Sequence, residues 1–133
     1  MNPRDYIKQN EGLRLKPYLC TSGKLTIGYG RNLTARGISR QEAEHLFEDD
    51  YFAAESAVRD LVPAFDALTD NRKAALADLA FNLGKRGFQG FKKMLEAVRR
   101  DDWAGAAREL EDSFYFRQVP NRAKRNKEML LNG

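Results

Sequence analysis

Three polar residues near the N-terminus have the types and spacing that acid–base chemistry needs. Glu11, Cys20 and Thr26 fall within EGLRLKPYLCTSGKLTIGYG, residues 11–30, and Cys20 is the only cysteine among 133 residues. A carboxyl group can protonate a leaving group, a thiolate can accept a proton, and a hydroxyl can hold a water molecule. Glu11 stands just before Gly12, where the pattern ends a helix, at the negative end of the helix dipole. Lys or Arg is the usual occupant there, and broken local rules concentrate at functional sites. Each residue also has an ordinary reading: Glu11 paired with Arg14, Cys20 as a small buried hydrophobe, Thr26 as strand filler.

Other chemistries find less support. The single histidine, His45, lies in a charged helical stretch and reads as a surface residue, so neither a metal cluster nor a Ser-His-Asp triad assembles around it. No metal and no cofactor are expected. The glycines of GYGRN do not open a helix after a strand, which argues against a phosphate cradle.

The elements that must position the three residues are readable. Asn2-Pro3 caps a helix that runs to about Glu11. Leu13 and Leu15, then Leu25, Ile27 and Tyr29, alternate with polar or small residues, and Thr21-Ser22-Gly23 supplies the turn of a hairpin. A three-residue loop sets Cys20 opposite Lys24 and Tyr18 opposite Thr26, with Cys20 and Thr26 on the face away from Leu25 and Ile27. Ser39 and Glu42 form a capping box opening a long amphipathic helix that Pro63 ends. Further helices fit 70–83, 91–100, 102–112 and 120–131. The class is α+β, mostly α, in one domain over 1–133. It holds a hairpin lobe at about 12–38, a long connecting helix, and a helical lobe at about 62–133 that includes the N-terminal helix.

Composition sets outer bounds. Hydrophobic residues make up 42% and charged residues 32%, as in a folded soluble domain. No apolar run approaches the ~20 residues of a membrane span, so no stable membrane insertion is expected. No secretory signal is evident and one cysteine forms no internal disulfide. The net charge of +4 favours anionic partners, and residues 117–127, RQVPNRAKRNK, contain Lys and Arg but no acid.

At motif level, the stretch from Glu11 to Gly30 resembles the phage-type lysozymes (endolysins) of glycoside hydrolase family 24, whose signature runs E-G-x-x-L-x-x-Y-x-D/C-x-x-G-x-x-T-I-G-x-G. DNRKAALADLAFNLGKRGFQGF and QVPNRAKR are similar to that family's central helix and last core segment. The resemblance implies a two-lobed lysozyme-like fold and hydrolysis of the β-1,4 bond between N-acetylmuramic acid and N-acetylglucosamine in peptidoglycan. It implies Glu11 as general acid, Thr26 as the residue positioning the attacking water, and Cys20 in the place where an Asp stands in the best-known members. Phe81 and Asn82 match cleft-lining residues, Arg122 an arginine near the catalytic Glu, and Tyr115 a supporting aromatic; Tyr29, Arg31 and Asn32 fall at the cleft rim. It further implies a monomer acting on glycan strands, with a holin as functional partner. The enzyme would accumulate in the host bacterial cytoplasm before reaching the periplasmic wall, and nucleic acid is not an expected partner.

Two departures stand out. Arg31 replaces a His, so the partner of that His is either absent or replaced, and the segment between Leu33 and Ser39 is short. Cys20 leaves the second half of the mechanism open: a thiolate favoured by Lys24, Arg31 or Arg14 can act as base, giving inversion, or as nucleophile, giving retention. A lytic transglycosylase, and a non-catalytic basic domain binding wall or nucleic acid, are the rival readings.

Overall fold

A computed structural model describes all 133 residues, which form eight α-helices, one short 3-10 helix (Phe65–Ala67) and one small antiparallel sheet. They divide into two compact units, Met1–His45 and Leu46–Gly133.

The first unit begins with α1 (Pro3–Glu11), where the Asn2 side chain accepts the Asp5 amide at 2.9 Å and Pro3 takes the first turn. Gly12, at φ 74°, closes it as a left-handed C-terminal glycine. The sheet follows in the order β1 (Arg14–Leu19), β2 (Leu25–Gly28), β3 (Arg31–Asn32). The hairpin has the expected register, with Tyr18 opposite Thr26 and Leu19 opposite Leu25. β3 and the one-turn helix α2 (Leu33–Arg36) were not expected from the sequence. Asn32 caps α2 by accepting the Ala35 amide, and the Thr34 hydroxyl accepts the β2 amide of Leu25 at 2.9 Å.

The long helix α3 (Arg40–Leu61) starts at the predicted capping box. Glu42 Oε1 accepts the Ser39 amide at 2.8 Å, and Ser39 Oγ accepts the Glu42 amide at 3.1 Å. The division between the units falls inside this helix. The sequence grouped α1 with the helical lobe; in the structure it belongs to the first unit.

The second unit holds the rest of α3, then α4 (Asp70–Gln89), α5 (Lys92–Arg99), α6 (Trp103–Glu111), α7 (Phe114–Gln118) and α8 (Pro120–Asn132). Gly84 breaks α4 with φ 73°, close to the boundary at 83 read from sequence. The buried hydrophobic core lies entirely here, and Phe88, Leu76, Leu79, Met94, Leu95, Leu110 and Leu130 are fully enclosed. Each such side chain contributes roughly 1.5–3 kcal/mol relative to exposure. The charge divides differently from the impression left by residues 117–127. Residues 1–45 hold eight Lys or Arg against four Asp or Glu and account for the whole +4, while 46–133 balance at fifteen of each.

Candidate active site

The turn between β1 and β2 shapes the first part of the site. The Cys20 amide donates to the Lys24 carbonyl at 2.9 Å and the Gly23 amide to the Cys20 carbonyl at 2.8 Å. Gly23 sits at φ 76°, where a side chain would be strained. With Tyr18 paired to Thr26 and Cys20 to Lys24, Cys20 and Thr26 share one face of the hairpin and the Leu19–Leu25 pair occupies the other. Thr26 is the only buried residue of the first unit. Its hydroxyl donates to the Lys24 carbonyl at 2.9 Å. That uses its one proton and leaves lone pairs able to accept from a water molecule.

Glu11, the last residue of α1, reaches the turn between β2 and β3. A Cβ built on Gly30 would lie 2.5 Å from Glu11 Oε2, so the carboxylate rests where any other residue at position 30 would put its side chain. Gly30 also has φ 74°. The Lys8 ammonium lies 5.2 Å above the Tyr29 ring and ties the same end of α1 to the same turn. The carboxyl of Glu11 and the hairpin face carrying Thr26 and Cys20 are thus held within one unit.

The Cys20 thiol is lowered to about 7, first by the Ser22 hydroxyl, 3.1 Å from Sγ, then by the main chain of Lys24 and of Ser22. Thr26 contributes least, consistent with its proton pointing at Lys24. Neighbouring cations, the cause anticipated from sequence, are not among these causes, and two of the three are engaged elsewhere. Arg14 lies 4.4 Å over the Tyr18 ring, and Arg31 is bound to Glu42.

Arg31 donates to both Glu42 oxygens, at 2.9 and 2.6 Å, and to the Gly37 carbonyl at 3.1 Å. The partner of Arg31 is therefore Glu42, the capping residue of α3. Arg31 and the Ser39 contacts hold the Glu42 carboxyl down to about 2. Asn32, the other charged or amide residue of the rim, is engaged as the cap of α2, while Tyr29 stays exposed.

The remaining candidates lie in the second unit. Arg122 donates through Nε and Nη2 to Asp78 at 2.9 and 2.6 Å, and Asn126 donates to the same carboxylate at 2.8 Å. The guanidinium keeps Asp78 below the ordinary carboxylate range. Tyr115 is buried, its hydroxyl has no hydrogen-bond partner, and burial pushes that hydroxyl up. Phe81 joins Phe47 and Tyr51 in an aromatic row with centroids 5.6 and 5.9 Å apart. This row, Asp78 and Arg122 line a cavity of about 640 Å³. Asn82 is exposed. Sequence reasoning missed Ser22, Glu42 and Asp78 as partners of Cys20, Arg31 and Arg122. Only Ser22, two residues from its partner, left a local signal.

A sequence profile described as phage lysozyme matches residues 8–125. The "Probable T4-type lysozyme 2" of Dictyostelium discoideum is 31% identical over 151 aligned positions, covering 92% of this chain and 89% of that protein. An "Endolysin" of Acyrthosiphon pisum secondary endosymbiont phage 1 is 35% identical over 109 positions, covering 78% and 71%. The "Pre-baseplate central spike protein Gp5" of Enterobacteria phage T4 is 29% identical across the whole chain, which spans 28% of that protein. Its 161 aligned positions exceed the 133 residues here by 28, so that relative carries segments this chain lacks.

Proposed function

The chain belongs to the phage lysozyme family, and from that premise we propose that it hydrolyses the β-1,4 bond between N-acetylmuramic acid and N-acetylglucosamine, with Glu11, Thr26 and Cys20 as its reacting centre. It is a glycoside hydrolase of the lysozyme type that degrades bacterial peptidoglycan. The observation that carries the assignment is the placement of the Glu11 carboxylate against Gly30, in the unit whose hairpin presents Thr26 and Cys20 on one face.

In the proposed step, protonated Glu11 gives its proton to the glycosidic oxygen as the bond from that oxygen to the anomeric carbon breaks. A water molecule attacks the anomeric carbon from the opposite side. It donates one hydrogen bond to Thr26 Oγ1 and passes its other proton to the Cys20 thiolate. Glu11 ends as a carboxylate, Cys20 as a thiol, and the sugar with inverted configuration; exchange with solvent restores both groups. Tyr29, Arg31 and Asn32 at the rim, and Phe81, Asn82 and Arg122, are assigned to substrate binding by family resemblance, with the buried Tyr115 supporting the site. No helix is long and apolar enough to cross a membrane, and release to the wall through a holin lesion, by a monomeric enzyme, completes the reading.

The test is clearing of outer-membrane-permeabilised cells by wild type, Glu11→Gln, Cys20→Ala and Cys20→Asp. Wild type should be active, Glu11→Gln folded and nearly inactive, Cys20→Ala well below wild type, and Cys20→Asp active. Full activity in Glu11→Gln ends the acid assignment. The absence of a second carboxylate at position 20 also suits a lytic transglycosylase, and 1,6-anhydromuramic ends in digested wall would decide for it.

A further inference from the structure

We propose that Ser22 is a positioning residue for the reaction, donating its hydroxyl proton to the Cys20 sulfur and holding it on the face that carries Thr26. The proposal rests on the reading of Cys20 as the base. Ser22 Oγ lies 3.1 Å from Cys20 Sγ, inside the usual range for a hydrogen bond to sulfur, within a turn closed at both ends by main-chain bonds. In the neutral thiol either group can donate. In the thiolate only Ser22 has a proton, so ionisation turns an ambiguous contact into a charge-assisted bond in one direction.

Among the side chains around the sulfur, Ser22 is the one hydrogen-bonded to it. Across the turn, Lys24 acts through its main chain, with its carbonyl already accepting the Cys20 amide and the Thr26 hydroxyl. Thr26, on β2, has spent its proton on that carbonyl. Among the causes that lower the thiol, the Ser22 side chain ranks first, and no cation is among them. An Asp at position 20 needs no such help, because its carboxylate is ionised throughout the neutral range. Ser22 thus supplies the hydrogen-bond donor that a thiolate at position 20 needs.

The contact and the catalytic role are tested separately. Iodoacetamide alkylation of Cys20, followed across pH by mass spectrometry, should have its midpoint near 7 in wild type. In Ser22→Ala it should move toward the ordinary thiol value of ~8.5, and in Ser22→Thr it should remain near wild type. The acid limb of wall-clearing activity should move with it in Ser22→Ala, and vanish as a thiol titration in Cys20→Asp whether or not Ser22 is present. An unchanged alkylation midpoint in Ser22→Ala overturns the proposal. A midpoint that moves while the activity profile stays fixed overturns Cys20 as base, and with it the place of Ser22 in the reaction.

Discussion

Gly30→Ala tests the geometry on which the acid assignment stands. Two costs follow from the structure. The backbone at position 30 has φ 74°, where an L-residue costs about 1–2 kcal/mol. The new Cβ would also lie 2.5 Å from Glu11 Oε2 and 2.9 Å from its carboxyl carbon. To reach ordinary contact at roughly 3.4 Å the carboxylate must retreat by about 1 Å, and a misplacement of that size costs on the order of 100-fold in rate. Gly37→Ala is the control. Its φ is 62°, and nothing lies within 4 Å of its added Cβ, so it carries similar backbone strain in the same unit without touching Glu11. Thermal unfolding by circular dichroism and initial clearing rates should therefore diverge. Both variants should lose a similar 1–2 kcal/mol of stability, about 3–10 °C for a chain of this size, but only Gly30→Ala should lose two orders of magnitude in rate. Equal rates in the two variants would refute the reading that a Glu11 carboxylate held against Gly30 acts in the reaction.

Two further outcomes follow from the ion pairs. The Glu42 carboxyl is held down to about 2 in the folded chain against an ordinary 4.5, so its stabilisation is present above about 4.5 and is lost as pH falls toward 2. Melting temperature should drop across that window in wild type and be flatter in Glu42→Gln. Asp78→Ala removes the acceptor of both Arg122 and the buried Asn126; it should cost about 1–3 kcal/mol, read by urea unfolding, with Asp78→Asn retaining part of the loss. An Asp78→Ala midpoint equal to wild type would show that the pair is only superficial.

What the sequence made legible follows the range of the interactions. Asn2-Pro3, the Ser39–Glu42 box and the Thr21-Ser22-Gly23 turn are local signals, and each sits in the structure where its pattern put it. β3 has two residues, α2 four and α7 five, too few for a period to show. They are held instead by single caps from Asn32 and Ser113 and by the Thr34 contact with β2. Arg31 finds its partner 11 residues away and Arg122 finds Asp78 44 residues away, distances at which no spacing rule operates. The same limit explains Cys20. The lone thiol suggested Lys24, Arg31 or Arg14 as its activator, but Arg14 and Arg31 are committed to Tyr18 and Glu42, Lys24 acts through its main chain, and a neutral hydroxyl two residues away lies against the sulfur.

The charge distribution bears on how the enzyme meets an acidic wall. At physiological ionic strength the field of a surface charge decays over ~8 Å, so the net charge of the whole chain matters less than which cations lie near the polymer. Residues 46–133 are neutral in sum, and within the late basic segment Arg122 is bound to Asp78 and Lys127 to Glu111. The uncompensated charge belongs to residues 1–45, where Lys16 and Arg36 are exposed. Using Glu11→Gln as background, to prevent digestion, the Lys16→Gln/Arg36→Gln pair should weaken sedimentation with purified peptidoglycan and flatten its dependence on NaCl. Lys92→Gln/Lys93→Gln removes the same formal charge from exposed positions of α5 and should change neither. If both pairs weaken binding equally, adsorption follows total charge, and the first unit has no special part in capturing the wall.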